Sequence, residues 1–417
     1  MDIARIMRKQ TLFVSALLFV TGSLCLGAQG DWPQWRGPER TDISPETGLL
    51  KEWPAEGPKL AWKATGLGAG FSTVSVVGNR IFTAGDIGDA SYIIALNRAD
   101  GSLLWKAKLG KTGGGPAGPR GTPTVDGDLV YELAQHGELV CVEAATGKEV
   151  WRKDLKKDFG GANGGWLYAE SVLVDGDRAI CTPGGKQGTL LALNKKTGEV
   201  LWRCADWTDS AEYSSPIVET IGGVRQYIQF TGKSVGGVAA DSGKLLWRAD
   251  RRGQTATIPT PIYKDGYVYV ASGYGVGCNL FQIKKDGDTF SAAQVYANQN
   301  MVNHHGGVVL VGEHLYGFSD NKGWVCQNFK TGEIAWQKNS VGKGALTYAD
   351  GCLYLRSEGG KGPVALVEAT PDGYKEKGRF DQPDRSKANS WPHPVVAGGK
   401  LYLRDQDVLL CYDVKGN

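Results

Sequence analysis

The chain has 417 residues with 60 Gly, 13 Trp and 3 Met, the composition of many short strands joined by tight turns rather than of a helical protein. Its formal net charge is +3; without residues 1–30 it loses the bases Arg5, Arg8 and Lys9 and the acid Asp2, leaving 44 bases against 43 acids. That balance excludes the basic surplus that would hold nucleic acid or anionic lipid.

Residues 1–30 read as a secretory signal peptide. Three bases precede the apolar run from Leu12 to Leu26, and the small residues Gly27, Ala28 and Gly30 offer a cleavage site. The run is short for a membrane span and no second one follows. An exported protein, periplasmic or extracellular, is therefore expected, monomeric and without a membrane span. Leu24 stands before Cys25 where a lipoprotein signal needs a small residue, which argues against a lipid anchor there.

Residues 31–58 form a lead-in segment, and residues 59–417 read as one repeat domain. A phrase recurs as Asp100–Trp105, Ala145–Trp151, Lys196–Trp202, Asp241–Trp247 and Lys330–Trp336, each a glycine turn followed by an alternating apolar strand that ends on Trp. The spacing of about 45 residues is the length of one four-stranded propeller blade. Within 121–155 all four strands are legible, from Thr122–Val125 through the Asp126-Gly127-Asp128 turn to Val150–Trp151. The same order fits 71–110, 169–207, 214–250, 258–297, 305–340 and 344–380. Residues 391–415 supply three strands of an eighth blade, and Lys59–Lys63 supplies its fourth. The predicted fold is all-β: an eight-bladed propeller of four-stranded antiparallel blades, its ring closed by the N-terminal strand on the C-terminal blade. Trp62, Trp105, Trp151, Trp202, Trp247 and Trp336 are the expected packing tryptophans between blades. Two repeats lack the Trp, at Gly287–Phe290 and Gly373–Glu376.

Seven Cys follow residue 30, and buried thiols are expected for them, with Cys141, Cys326 and Cys411 at one repeat position. An exported chain can oxidise a pair, Cys181 with Cys204 being the first candidate, but an odd count cannot pair throughout. No Cys-x-x-Cys-His occurs, which excludes covalent haem.

The turn-and-Trp phrase resembles the repeat of the pyrroloquinoline quinone (PQQ) propeller superfamily over essentially the whole chain after residue 30. That superfamily includes quinoprotein alcohol dehydrogenases and BamB-like exported scaffolds. The opening Asp31-Trp32-Pro33-Gln34-Trp35-Arg36-Gly37-Pro38 is similar to a set of exported PQQ-like repeat proteins. The resemblance implies PQQ with Ca²⁺ as a cofactor to be tested. However, the adjacent cysteines of the dehydrogenases are missing, and their Ca²⁺-binding Glu and Asn and catalytic Asp match no motif here. A repeat of this kind is specific for fold and not for chemistry.

First strands of propeller blades line the central channel, so polar residues just before them converge at one mouth. That rule selects Arg120, Glu170, Tyr213, Thr260, His304, His305, Lys343 and His393, with Trp166, Tyr168 and Trp391 as aromatic neighbours. One reading is a ligand or metal site, with His305 and His393 as ligands or acid–base groups, Glu170 as carboxylate, and Arg120 and Lys343 gripping an anion. The structural reading is that they tie strand-leading loops around a water-filled channel. The Asp-Gly-Asp runs at 126–128, 175–177 and 286–288 read as hairpin turns. Gly113–Gly115 and Gly184–Gly185 precede no helix and read as blade connections. The function expected is a non-catalytic binding or scaffold module for a protein, peptide or carbohydrate partner. The alternative is a PQQ-dependent alcohol or sugar dehydrogenase working at the channel mouth.

Overall fold

The computed structural model describes residues 30–416; the signal-peptide reading and Cys25 lie outside the described residues. The described residues form eight sheets and no α-helix. The first strands of blades 1 to 8 are Ser75–Val77, Thr124–Asp126, Leu173–Asp175, Ile217–Ile221, Ile262–Lys264, Val308–Val311, Gly344–Ala349 and Val395–Ala397. Each is followed antiparallel by three further strands, the last lying on the outer rim. In blade 8 the outer strand is Lys59–Ala64, which pairs antiparallel with Val408–Asp413 and closes the ring as the sequence predicts.

The repeat phrase has a mechanical meaning. The turn glycines Gly101, Gly147, Gly198 and Gly243 all have φ between 71° and 74°, a left-handed conformation that side chains disfavour. A Cβ there would also collide with the tryptophan of the preceding blade, at 2.8 Å from Trp62, 2.6 Å from Trp105, 2.9 Å from Trp151 and 2.5 Å from Trp202. Each indole of blades 1, 2 and 3 further donates Nε1–H to a carbonyl three residues before that glycine, at Ala144, Lys195 and Ala240. One aromatic thus grips the next blade by stacking and by a hydrogen bond.

The blades without Trp keep the device with other rings. In blade 5 the ring is Tyr296: its hydroxyl donates to Phe329 at 3.0 Å, and it lies 3.0 Å from a Cβ at Gly332. In blade 7 Phe380 takes the place and rests on Gly57, whose added Cβ would stand 2.6 Å away. Trp336 keeps the hydrogen bond, to Thr370 at 2.7 Å. Trp247 is the exception and donates within its own blade, to Gln226.

Apolar residues of facing blades fill the space between the sheets in eight clusters. All seven thiols after residue 30 are free and buried, as expected, and the candidate pair Cys181–Cys204 is not joined. Cys181 packs against blade 2 and Cys204 against blade 4, on opposite faces of blade 3, so the two side chains point apart.

Trp151 is 7% exposed, and its replacement by Ala should cost about 3–5 kcal/mol in urea unfolding, with a value near zero contradicting its role as an inter-blade clamp. Deleting residues 31–63 should lower the thermal unfolding midpoint sharply, because it removes the closing strand; an unchanged midpoint would contradict the split blade.

Candidate functional site

The chain itself enters the channel. The segment Trp32–Ser44 runs through it and bonds to residues in or directly before the first strands of seven blades. Trp32 exchanges backbone hydrogen bonds with Val76, and Val125 donates to the Pro33 carbonyl. Arg40 donates to the carbonyls of Ser171 and Val172, at 2.6 and 3.1 Å, and Arg36 to that of Val308, at 2.8 Å. Trp35 Nε1 donates to Thr260 Oγ1 at 3.0 Å. Ile43–Ser44 adds a parallel strand to Gly344–Ala349. His393 Nδ1 meets Asp42 Oδ2 at 2.9 Å, and Asp42 also forms a salt bridge of 3.1 Å with Arg36. Arg36, Arg40 and Asp42 have φ of 62°, 55° and 59°. Such backbone costs about 1–3 kcal/mol per residue and persists only where surrounding bonds over-determine it; the buried guanidinium contacts do so here.

Above this plug lies a bowl of about 270 Å³ with Trp35 in its lining. Its wall is a chain of touching aromatic rings. Phe71 stacks on Trp391 at 4.3 Å, Trp391 meets His305 at 5.6 Å, and His305 meets His304 at 5.1 Å. His304 abuts Tyr274 at 4.8 Å, Tyr274 faces Trp166 at 6.4 Å, and Trp166 faces Tyr213 at 5.9 Å. Arg120, Ser171 and Ser215 supply the rest of the polar lining, and no carboxylate side chain lines the bowl.

The family model described as outer membrane protein assembly factor BamB matches residues 46–133 and 89–338, most of the ring. The chain belongs to the BamB family of PQQ-like propellers. BamB of Shewanella oneidensis is 25% identical over 266 residues, 61% of this chain and 65% of that protein. BamB of Alkalilimnicola ehrlichii is 29% identical over 212 residues, 49% of this chain and 50% of that protein. The matches therefore span from half to just under two thirds of those relatives' own length. Among solved structures, the quinohemoprotein alcohol dehydrogenase of Comamonas testosteroni superposes with a TM-score of 0.65 at 13% identity, over 93% of this chain and 81% of that one, a likeness of fold alone. The BamB family match begins at residue 46, after the plug.

The sequence rule brings Arg120, Tyr213, His304, His305, Trp391 and Trp166 together around the bowl. It does not bring Glu170, Tyr168 or His393 there. His393 is 2% exposed beneath Trp35, with its ring nitrogens facing Asp42 and the His305 carbonyl, and so offers nothing to a ligand in the mouth. Glu170 is buried, accepting from the Thr182 backbone and from Gln229. Tyr168 donates to Pro183. Thr260 anchors the plug through Trp35. Lys343 stands outside the lining, paired with Asp320 at 2.8 Å and donating to His304 Nδ1 at 2.9 Å. Eight lining residues escape the rule, among them Pro116, Ala169 and the two serines Ser171 and Ser215. Phe71 and Ile258 obey its register but are apolar, Tyr274 sits in a turn, and Trp35 comes from the plug. The run Trp32–Pro38, dense in Trp, Arg and Pro, was the one available signal for the plug.

Burial sets the charge of the mouth. It draws His304 down to about 4, assisted by His305 and Lys343, and also lowers His305, so both imidazoles are neutral near pH 7. His305 Nε2 contacts Glu358 Oε2 at 2.7 Å, and the same oxygen accepts from Trp391 Nε1. Arg120 donates to the carbonyls of Pro116 and Gly118 and forms no salt bridge among the described residues. Arg120 is thus the one cation in the bowl's lining, while the Glu358 carboxylate stands behind the His305–Trp391 part of the aromatic wall.

Burial likewise pushes Glu170 up from 4.5 to about 7, against hydrogen bonds from Thr182 and the charge of Arg40. A carboxyl that holds its proton more tightly when folded contributes stability below its unfolded value and loses it as pH rises through the folded one. The wild type should therefore lose unfolding free energy relative to Glu170→Gln between pH 4.5 and about 7. A difference between the two proteins that does not change with pH would show that Glu170 titrates normally.

Proposed function

We propose that this chain is an exported, non-catalytic binding propeller of the BamB class that holds a ligand at the aromatic mouth. One observation carries the reading: a channel filled by the chain's own plug leaves a shallow bowl whose side chains recognise rather than react. Its wall is aromatic, its two histidines are neutral, and the one charged side chain in its lining is a guanidinium. The relatives carry the name outer membrane protein assembly factor, which supports a periplasmic scaffold role.

The quinoprotein alternative meets a poor donor set. The aromatic wall and Arg120 suit a flat anionic ring, but a Ca²⁺-bound quinone also needs converging oxygen ligands. Among the described residues no group of three or more His, Cys, Asp or Glu side chains is placed to hold a metal ion. Glu170, the carboxylate expected there, is turned away from the bowl.

Arrays of peptides and carbohydrates probed with the purified protein should reveal a ligand whose affinity falls at least about ten-fold in Tyr274→Ala and Trp166→Ala, the loss of roughly one aromatic contact. Tyr274 is 42% exposed, so its truncation tests binding without emptying the core. Dye-linked oxidation of an alcohol or sugar after addition of PQQ and Ca²⁺, or binding indifferent to both variants, would overturn the reading.

A further inference from the structure

Three polar side chains of the bowl have protons left to donate. Ser171 Oγ accepts from the Thr122 backbone and Ser215 Oγ from that of Ser171, both at 2.9 Å, which leaves each hydroxyl proton without a protein acceptor. Arg120 uses two guanidinium nitrogens on carbonyls of its own loop and has no carboxylate partner among the described residues, yet it lines the bowl. A half-buried guanidinium beside uncommitted hydroxyls calls for an anionic acceptor from outside.

The rings decide what else that ligand carries. A flat aromatic acid binds best between two parallel faces, and the bowl has none to spare. Phe71 and Trp391 already stack on each other at an interplanar angle of 28°, and His305 lies 5.6 Å from Trp391 at 38°. The other pairs are tilted, Trp166 by 39° to Tyr213 and by 33° to Tyr274. Single faces at differing angles suit the C–H faces of successive saturated rings, with equatorial hydroxyls turned to the donors. The volume of about 270 Å³ lies at the small end of ligand pockets and the mouth opens to solvent, which fits the end of a chain rather than its full length.

We propose that the mouth binds the end of an acidic oligosaccharide: pyranose rings stack on Trp391, Trp166 and Tyr274, and an anionic substituent, carboxylate or sulfate ester, pairs with Arg120 and the Ser171 and Ser215 hydroxyls. This rests on the mouth being the binding site.

Calorimetric titration tests it with four probes on the intact protein: a linear tetragalacturonate, its full methyl ester, a sulfated galactan tetrasaccharide and its unsulfated counterpart. At least one acid should bind about ten-fold or more tightly than its neutral partner, as expected for a charge-assisted pair. The acid that does so names the source of the anion. In Arg120→Met the preference should vanish while the neutral sugar's affinity is retained, a result that a misfolded variant cannot give. Equal binding of acid and neutral forms in the wild type, or a preference that survives Arg120→Met, would overturn the proposal. Binding of peptides but no saccharide at the mouth would overturn it while leaving the binding-propeller reading intact; quinone-dependent turnover would overturn that reading itself.

Discussion

At six of the eight junctions an aromatic side chain on the outer strand of one blade sits where the turn glycine of the next has no side chain. Everything else rests on that seat. It fixes the distance and angle between neighbouring sheets, so the first strands converge on one axis and the loops before them on one mouth. The chemistry of the ring is interchangeable: Tyr296 and Phe380 do in blades 5 and 7 what indoles do elsewhere. What cannot be exchanged is the glycine, because it must both adopt positive φ and leave room for the ring.

The ring alone would leave an open channel lined by small and polar side chains. The plug turns that opening into a floor. Its cohesion is electrostatic, since Arg36, Arg40, Asp42 and His393 are all buried and would be intolerable singly. Linked as Arg36–Asp42–His393, with Arg40 on the Ser171 and Val172 carbonyls, they bind the lead-in to opposite sides of the ring. The same links hold Trp35 in the floor of the bowl. Stability and recognition thus share one segment.

The bowl shows why position before a first strand is an incomplete guide. Arg120, Tyr213, His304, His305 and Trp391 face the mouth, whereas Glu170 and His393 hold the same kind of position and are covered. No local pattern separates the two groups. The difference lies in partners elsewhere in the chain: Asp42 of the plug holds His393, and the Thr182 backbone and Gln229 hold Glu170. Burial then neutralises the two remaining histidines, so a cluster that looks reactive in sequence becomes an aromatic wall with one cation.

The sequence by itself determined the number of blades, the antiparallel order within them and the split eighth blade, because each depends on spacing between residues close in the chain and repeated around it. It also marked the packing tryptophans, although a repeat defined by Trp could not reveal that Tyr296 or Phe380 fills the same seat. Only the tertiary structure decided the contents of the channel, the separation of Cys181 from Cys204, and which mouth residues are open to a ligand. Those features depend on contacts between distant segments, where desolvation and ion pairing, and not periodicity, select the arrangement.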